Sequence, residues 1–520
     1  MRYNLKTPFS RAGRIWPSIY VVTLLIAFCA SRLVYASCGI EFRIKPVLYF
    51  LMQALDVRQL RDSLPEAIWY LHAQPPLYNA LIGVVLRAPE NAQQTIFTVL
   101  YSAVALTGIL CFHQVAIEIS GKKLLLSWCL SLLLIISPAT ILFERALFYE
   151  GLVPWLLVIG FYLLWRFLTR DQFRAGVVAY LIFASVVLIR TAFHPIWLAA
   201  MVAVVLAAQP LRWRRILAAS VLGLSLVGAV MLKNQIVFGE AGLSSWMPNY
   251  LFEQTGNPVP LEQRKALVGK GVLSPYAALQ AFSDPDKLRR IYGSVPITGI
   301  PVLDDEFKAD RGNPFRADGR NPNYNNIIYL ITGQQILSDA LYLLVHFPSY
   351  YIDQTVRAVI VYLRPSSDYE YNSDNLRLIA QWDRIYSLVV DGQPAALFGS
   401  TQDRTRPKHS LMKVGYFTLI EIMVVLVGTV ALAWTVIRHR QTDPARAGWL
   451  LAVGTTVLFV TVIASLFDSV ETNRARFMVE PLIYLTVVGI AVSFPGFLRP
   501  SPQKNPNRNA GQAPFDLAVP

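Results

Sequence analysis

Residues 15–31, 124–143 and 481–498 each run for ~17 to 20 positions without a charged side chain, the length an α-helix needs to cross a hydrocarbon layer. No other feature restricts the fold as much, because such runs are too long and too evenly apolar to be one face of a soluble helix. Composition agrees: 54% of the 520 residues are hydrophobic and 15% charged, against about a quarter charged in soluble domains. Lipid is the expected solvent, and an all-α polytopic membrane protein the expected fold.

Apolar runs fall at 15–31, 94–117, 124–143, 151–165, 176–189, 195–208, 216–231, 414–437, 447–466 and 478–497. Basic clusters sit between them: Arg2, Lys6, Arg11 and Arg14; Lys122 and Lys123; Arg166, Arg170 and Arg174; Arg212, Arg214 and Arg215; Arg438, Arg440 and Arg446; Arg499, Lys504 and Arg508. The positive-inside rule puts all six in the cytoplasm. This is consistent when ten spans cross and the eleven-residue run 75–85, reaching ~17 Å, does not. A re-entrant or half-inserted helix is expected there, the alternative being a short, tilted crossing with the Lys122/Lys123 loop on the other side. The chain then divides into an N-terminal membrane module (1–234) with an outer loop at 32–74, an extracytoplasmic segment (235–412) with amphipathic helices, C-terminal membrane helices (413–499) and a polar, disordered cytoplasmic tail (500–520). Both termini are expected in the cytoplasm.

The net charge of +14 reads as topology signal and not as a nucleic-acid surface, since the cations cap apolar runs. Cys29, Cys111 and Cys129 lie in apolar runs and Cys38 outside them, so no disulfide framework or Cys-based metal site is expected. The basic N-terminus precedes an apolar run too long for a typical signal peptide. It reads as the first permanent span.

Ionisable residues that collect at one face of such a bundle cost free energy unless they pair or serve a site. The densest group on the outer side is Asp56, Asp62, Glu66, His72, Gln74 and Asn79. A carboxylate there can work as a general base. Ser63-Leu-Pro-Glu66 also has the spacing of a capping box, which makes Glu66 a helix-start residue. Asp284-Pro-Asp286 precedes a basic helical run and reads as helix capping, so no metal ligand is assigned.

The run Tyr70-Leu-His72-Ala-Gln-Pro-Pro-Leu-Tyr-Asn79, after a charged loop that follows the first span, resembles the GT-C glycosyltransferases, a group including protein O-mannosyltransferases, aminoarabinose transferases and bacterial lipopolysaccharide galacturonosyltransferase-like proteins. Similar pieces are Ser137-Pro138 with Glu144, Phe148-Tyr149-Glu150, Phe193-His194-Pro195, Lys233-Asn234 with Phe238-Gly239, and Asn473-Arg474-Ala-Arg476-Phe477 leading to Glu480-Pro481. The chain departs from the family pattern in having only Glu41 where an acidic pair usually follows the first span, and in a proline motif one residue wider. The resemblance implies a GT-C-like fold of about 10–12 spans in a bacterial inner membrane. It also implies inverting transfer of a sugar from a polyprenyl-phosphate donor to a lipid, glycan or protein acceptor on the extracytoplasmic face. The implied base is Asp56, Asp62, Glu66 or Glu41, in that order. His72, Arg190, His194, Lys233, Arg474 and Arg476 are implied for the donor phosphate, and Gln74, Asn79, Glu144, Tyr149, Glu150 and Trp246 for acceptor or sugar. No cofactor is assigned, although some members of the group use a divalent metal.

Several of these residues have plainer roles open to them. Arg190 and Lys233 end spans and can snorkel to headgroups, His194 precedes a helix-starting proline, and Glu421 can pair with a neighbouring helix. Two further functions stand beside the enzyme: a transporter or flippase of lipid-linked sugars, which would line a midplane path with polar groups, and a non-catalytic scaffold binding through 235–412.

Overall fold

The computed structural model describes residues 19–44, 48–49, 51–313, 316–369, 373–398, 409–438, 443–468 and 471–498. The expectations for Arg2, Lys6, Arg11, Arg14, Arg440, Arg499, Lys504, Arg508 and the tail lie outside the described residues. Within them the chain is helical, with two isolated β-bridges, Arg43 to Ala146 and Phe307 to Pro322, and no strand.

In chain order the first half supplies α1 (Ile19–Ser37), α2 (Val57–Asp62), α3 (Leu64–Trp69), α4 (Pro76–Leu86), α5 (Glu90–Ile119), α6 (Leu124–Ile136), α7 (Pro138–Glu144), α8 (Val153–Arg170), α9 (Phe173–Ile189), α10 (Pro195–Ala208) and α11 (Trp213–Phe238). The second supplies α12 (Met247–Thr255), α13 (Leu261–Gly269), α14 (Pro285–Tyr292), α15 (Pro301–Asp304), α16 (Ile328–His346), α17 (Pro348–Tyr362), α18 (Ser373–Leu378), α19 (Ala380–Tyr386), α20 (Ala395–Phe398), α21 (Tyr416–Arg438), α22 (Pro444–Phe467) and α23 (Thr472–Leu498). Among the described residues eight helices are long and apolar enough to cross a membrane, or nine when α6 and α7, bent by 52°, count as one. The molecule is an all-α, multi-pass membrane protein.

Local sequence explains the irregular places. Ser137-Pro138 breaks α6 from α7: the proline lacks the N–H that would continue the ladder, and Ser137 Oγ accepts from the Thr140 N–H at 3.4 Å as an N-cap. α11 ends at Gly239 (φ +75°), a left-handed position that suits glycine. There the chain leaves the bundle for a long segment, the cap, lying over one end of it.

α4 matches the short run expected at 75–85. His72, just before it, is fixed to Ser245 and Asn325 of the cap. Arg87, just after it, donates to the Arg61 carbonyl at 3.4 Å. Both ends thus lie on the capped side. α5 then runs away from the cap, from Ser102 beside Glu144 to Glu118 beside Arg170.

α16 departs from expectation. It reads as an amphipathic helix of the extracytoplasmic segment, yet it is long and apolar enough to span. Its buried face explains this composition: Ile328, Tyr329, Ile336, Ala340 and Leu343 fill a second core with Leu251, Phe252, Val259, Leu273 and Leu288. α16 is thus the spine of the cap core.

The bundle core is built on Trp155, Trp197 and Trp449. Buried indole N–H groups need acceptors, and Trp197 and Trp449 donate to Thr456 Oγ1 (3.0 Å) and the Phe161 carbonyl (2.8 Å).

Candidate functional site

Glu150 lies in a short 3₁₀ turn (Tyr149–Gly151) just before α8, fully buried. Gly151 lets that turn tuck under its neighbours, since a Cβ there would meet the Phe143 carbonyl oxygen at 2.4 Å and the Tyr101 ring at 2.7 Å. Two guanidinium groups reach Glu150 from elsewhere in the chain. Arg190, the C-cap of α9, pairs with Oε1 through Nη1, and Arg474, in the first turn of α23, brings Nε to 3.6 Å of the same oxygen. Among the described residues Glu150 Oε2, which is buried, takes no hydrogen bond and Arg474 Nε donates none.

Aromatic rings shape the surroundings. The Arg190 guanidinium lies 4.6 Å from the Tyr149 ring centre, and Tyr149 meets Tyr78 edge-on at 5.3 Å. Arg474 donates to the Tyr369 hydroxyl at 3.0 Å and pairs with Glu471 at 2.9 Å. From the cap, α12 contributes Tyr250 and Glu253. Burial pushes the Tyr250 hydroxyl up, with Tyr149 acting the same way and Arg474 opposing, which places Tyr250 in the same electrostatic neighbourhood.

Glu253 is the group in this neighbourhood with chemistry to offer. Among the described residues it has no ion-pair or hydrogen-bond partner. Burial, then the charges of Asp468 and Glu471, push its carboxyl up to about 8. At neutral pH it therefore sits close to the point of gaining or losing a proton, as a general acid or base requires.

Of the residues named from sequence, Arg190, Arg474, Tyr149 and Glu150 are brought together; the others are not. Glu144 lies within α7, held by the fork of Arg32 (Nε to Oε2 3.1 Å), by Ser102 Oγ at 2.6 Å and by Arg145 at 3.9 Å. Arg476 belongs to a separate buried group, with Asp391 at 3.6 Å, Glu480 at 3.5 Å and the Arg364 carbonyl at 3.0 Å. Ser366 and Tyr484 donate to Glu480, and Glu421 joins the same electrostatic group. Burial, offset by Arg476, pushes the Asp391 carboxyl up to about 7.

Within the Leu55–Asn79 constellation Asp56, His72 and Asn79 make structural contacts. Asp56 caps α2 through the Arg58 N–H (2.8 Å) and accepts from the Ala309 N–H of the cap (2.6 Å), so both carboxylate oxygens are engaged. The His72 ring spans Ser245 Oγ (2.7 Å) and the Asn325 carbonyl (2.9 Å). That carbonyl only accepts, so Nε2 carries the proton and Nδ1 accepts from the serine. Burial, with Lys233 nearby, pulls this imidazole down to about 3, which leaves it neutral and uncharged toward a phosphate. Asn79 accepts from the Leu55 N–H and donates to the Gln53 carbonyl, both at 2.9 Å. Lys233 donates to the carbonyls of Trp69 and Leu71.

His194 is exposed and caps α10 by accepting from the Ile196 N–H. Trp246 is buried among Tyr250, Phe282 and Tyr324, with its N–H on the Tyr324 carbonyl, so no face is left for a sugar. Glu41, Asp62 and Glu66 are exposed. Ser63 stands at the N-cap of α3 without a side-chain hydrogen bond, so the capping box is not closed. Gln74 is buried and, among the described residues, makes no hydrogen bond. Asp284 is gripped by Arg316 at 2.6 and 2.7 Å and Asp286 pairs with Arg290, so ion pairs and not side-chain capping hold this triplet. Among the described residues no three His, Cys, Asp or Glu side chains are grouped to hold a metal.

Sequence reasoning missed Glu253, Glu471 and Tyr369. Glu253 lies in an ordinary amphipathic stretch, and the charges that act on it, Asp468 and Glu471, stand more than 200 positions later. No local pattern carries that. No family model, curated protein or solved structure matches the chain.

Proposed function

We propose that the protein is a membrane glycosyltransferase of GT-C type that moves a sugar from a polyprenyl-phosphate donor onto a hydroxyl of a lipid, glycan or protein acceptor. The capped end is taken as the extracytoplasmic face of a bacterial inner membrane, with both termini in the cytoplasm. α1, α5, the bent α6/α7 pair, α8 to α11 and α21 to α23 make the ten crossings. The observation that carries this reading is the convergence of Arg190 and Arg474 on one oxygen of Glu150 where bundle and cap meet, its other oxygen having no hydrogen-bond partner among the described residues.

Two arginines and an aromatic wall at the edge of a lipid bundle suit a phosphate whose polyprenyl tail lies in the membrane. Glu150 is then the resident anion, and the donor phosphate takes over its arginines. In the transfer step Glu253 takes the proton of the acceptor hydroxyl and that oxygen bonds to the anomeric carbon. The bond from the sugar to phosphate breaks, its electron pair staying on the phosphate oxygen. Configuration inverts. The charge that develops on the departing phosphate falls to Arg190 and Arg474.

Replacing either arginine by Gln is expected to weaken polyprenyl-phosphate binding about 10- to 100-fold, the range for hydrogen bonds to charged groups. Glu150→Gln, which frees the arginines without disturbing shape, is expected to tighten it. Unchanged binding in all three variants overturns the assignment. A second reading, transport of a lipid-linked sugar, draws on the buried group Arg476, Asp391, Glu480 and Glu421, since ionisable residues inside a bundle also mark translocation paths. Flipping of labelled donor across proteoliposomes without sugar transfer is its signature.

A further inference from the structure

At the opposite end of the bundle from the cap, an open cavity of about 570 Å³ lies between the end of α8 and the start of α11. Leu168 and Thr169 form one wall, Arg212, Arg214 and Arg215 the other. Asp171, where the chain turns back after α8 with φ 55°, is the one acid lining it among the described residues. Three guanidinium groups against one carboxylate leave two positive charges over.

The arginines are not equivalent. Arg212 is committed to structure, donating to the carbonyls of Leu168 (2.8 Å) and Phe167 (3.3 Å) and to Gln209 Oε1 (3.1 Å) as well as to Asp171. Arg215 is exposed and pairs with Asp171. Arg214 is exposed and, among the described residues, has no acidic partner, only the Trp213 ring at 5.3 Å. Leu211 is 98% exposed, Trp213 50% and Leu217 39%. A leucine and a tryptophan left bare beside such a cavity, at the tip of a membrane helix, belong at the boundary between headgroups and acyl chains.

We propose that this cavity holds the phosphate of an anionic phospholipid, with Arg214 and Arg215 on the phosphate oxygens and the acyl chains against Leu211, Trp213 and Leu217. The shared chemistry is a phosphate anion. The exposed apolar side chains select a lipid over a soluble phosphate. The site is distinct from the Glu150 cluster, on the other end of α8, and does not depend on the glycosyltransferase reading.

The test is native mass spectrometry of the full chain in detergent with equal amounts of an anionic and a zwitterionic phospholipid of the same acyl composition. Wild type is expected to retain the anionic species preferentially. Arg214→Gln with Arg215→Gln is expected to lower that retention about 30-fold, the effect of two charges near a membrane surface, while the paired Lys variant keeps most of it. Asp171→Asn removes the competing acid, and asparagine tolerates the left-handed backbone, so it is expected to raise retention. Millimolar inorganic phosphate should leave the bound lipid in place, and Leu211→Ser with Trp213→Ser should lower retention with all arginines intact. The proposal is overturned by equal retention of the two lipids, by no response to either the Gln pair or Asp171→Asn, or by displacement with inorganic phosphate.

Discussion

Arg32 on α1 and Glu144 on α7 are opposite charges buried against one another, and each supports the other. Arg32 Nη1 adds a bond to the Ile135 carbonyl at 2.9 Å, so the guanidinium is satisfied on several sides. Removing one partner of a buried pair leaves the other uncompensated, at a cost of about 3–5 kcal/mol. Glu144→Gln is therefore expected to lower thermal stability in detergent sharply, with the double change Arg32→Met and Glu144→Met recovering most of the loss. His72 gives a prediction of opposite chemistry. Its folded pKa, about 3, lies below the ordinary 6.5, so the unfolded chain binds the extra proton first. Its contribution is present above pH 6.5 and fades as pH falls toward 3. Acid unfolding monitored by fluorescence should show this loss, and His72→Gln should flatten it.

At the scale of elements, the apolar runs foretold most of the helices because a membrane span is a local property of composition. The Pro-Pro start of α4 and its short apolar run likewise foretold a short apolar helix. Cysteines introduced at Leu77 and Asn91 should react from the same side of sealed vesicles, and labelling from opposite sides would mean that α4 crosses. Elements whose character depends on distant partners were not legible. α16 packs one apolar face into the cap core, and nothing within residues 328–346 marks that partner. Gly151 is another such case, its need for a missing side chain arising from Phe143 and Tyr101. Gly151→Ala is expected to destabilise by about 1–3 kcal/mol through overpacking and to displace Glu150, so donor binding and melting temperature should fall together.

Cap and bundle meet along a polar seam, and the seam decides which sequence hints become a site. Arg190, Glu150 and Arg474 were readable because charges at span ends stand out against apolar surroundings. Asp56, His72 and Asn79 stood out for the same reason, yet Asp56 and His72 pin loops to the cap and Asn79 pins the loop before α2 to α4, because a buried backbone needs partners as much as chemistry does. Glu253 was illegible because the charges that act on it, Asp468 and Glu471, lie far away in sequence, in the turn joining α22 and α23. Facing it are Asp468 and Glu471 from that turn and Tyr250 from its own helix, with Arg474 beyond Tyr250. A carboxyl with its folded pKa raised from 4.5 to about 8 contributes stability below pH 4.5 that is lost as pH rises through 8, and Glu253→Gln should remove this slope. The same titration governs the proposed reaction, and the pH dependence of sugar transfer from a labelled polyprenyl-phosphate donor in membranes tests it most directly. Turnover in the wild type should climb as Glu253 loses its proton toward pH 8, and Glu253→Gln should lower it about 100-fold or more with donor binding intact. A Glu253→Gln protein with wild-type turnover and an unchanged pH profile would contradict the account.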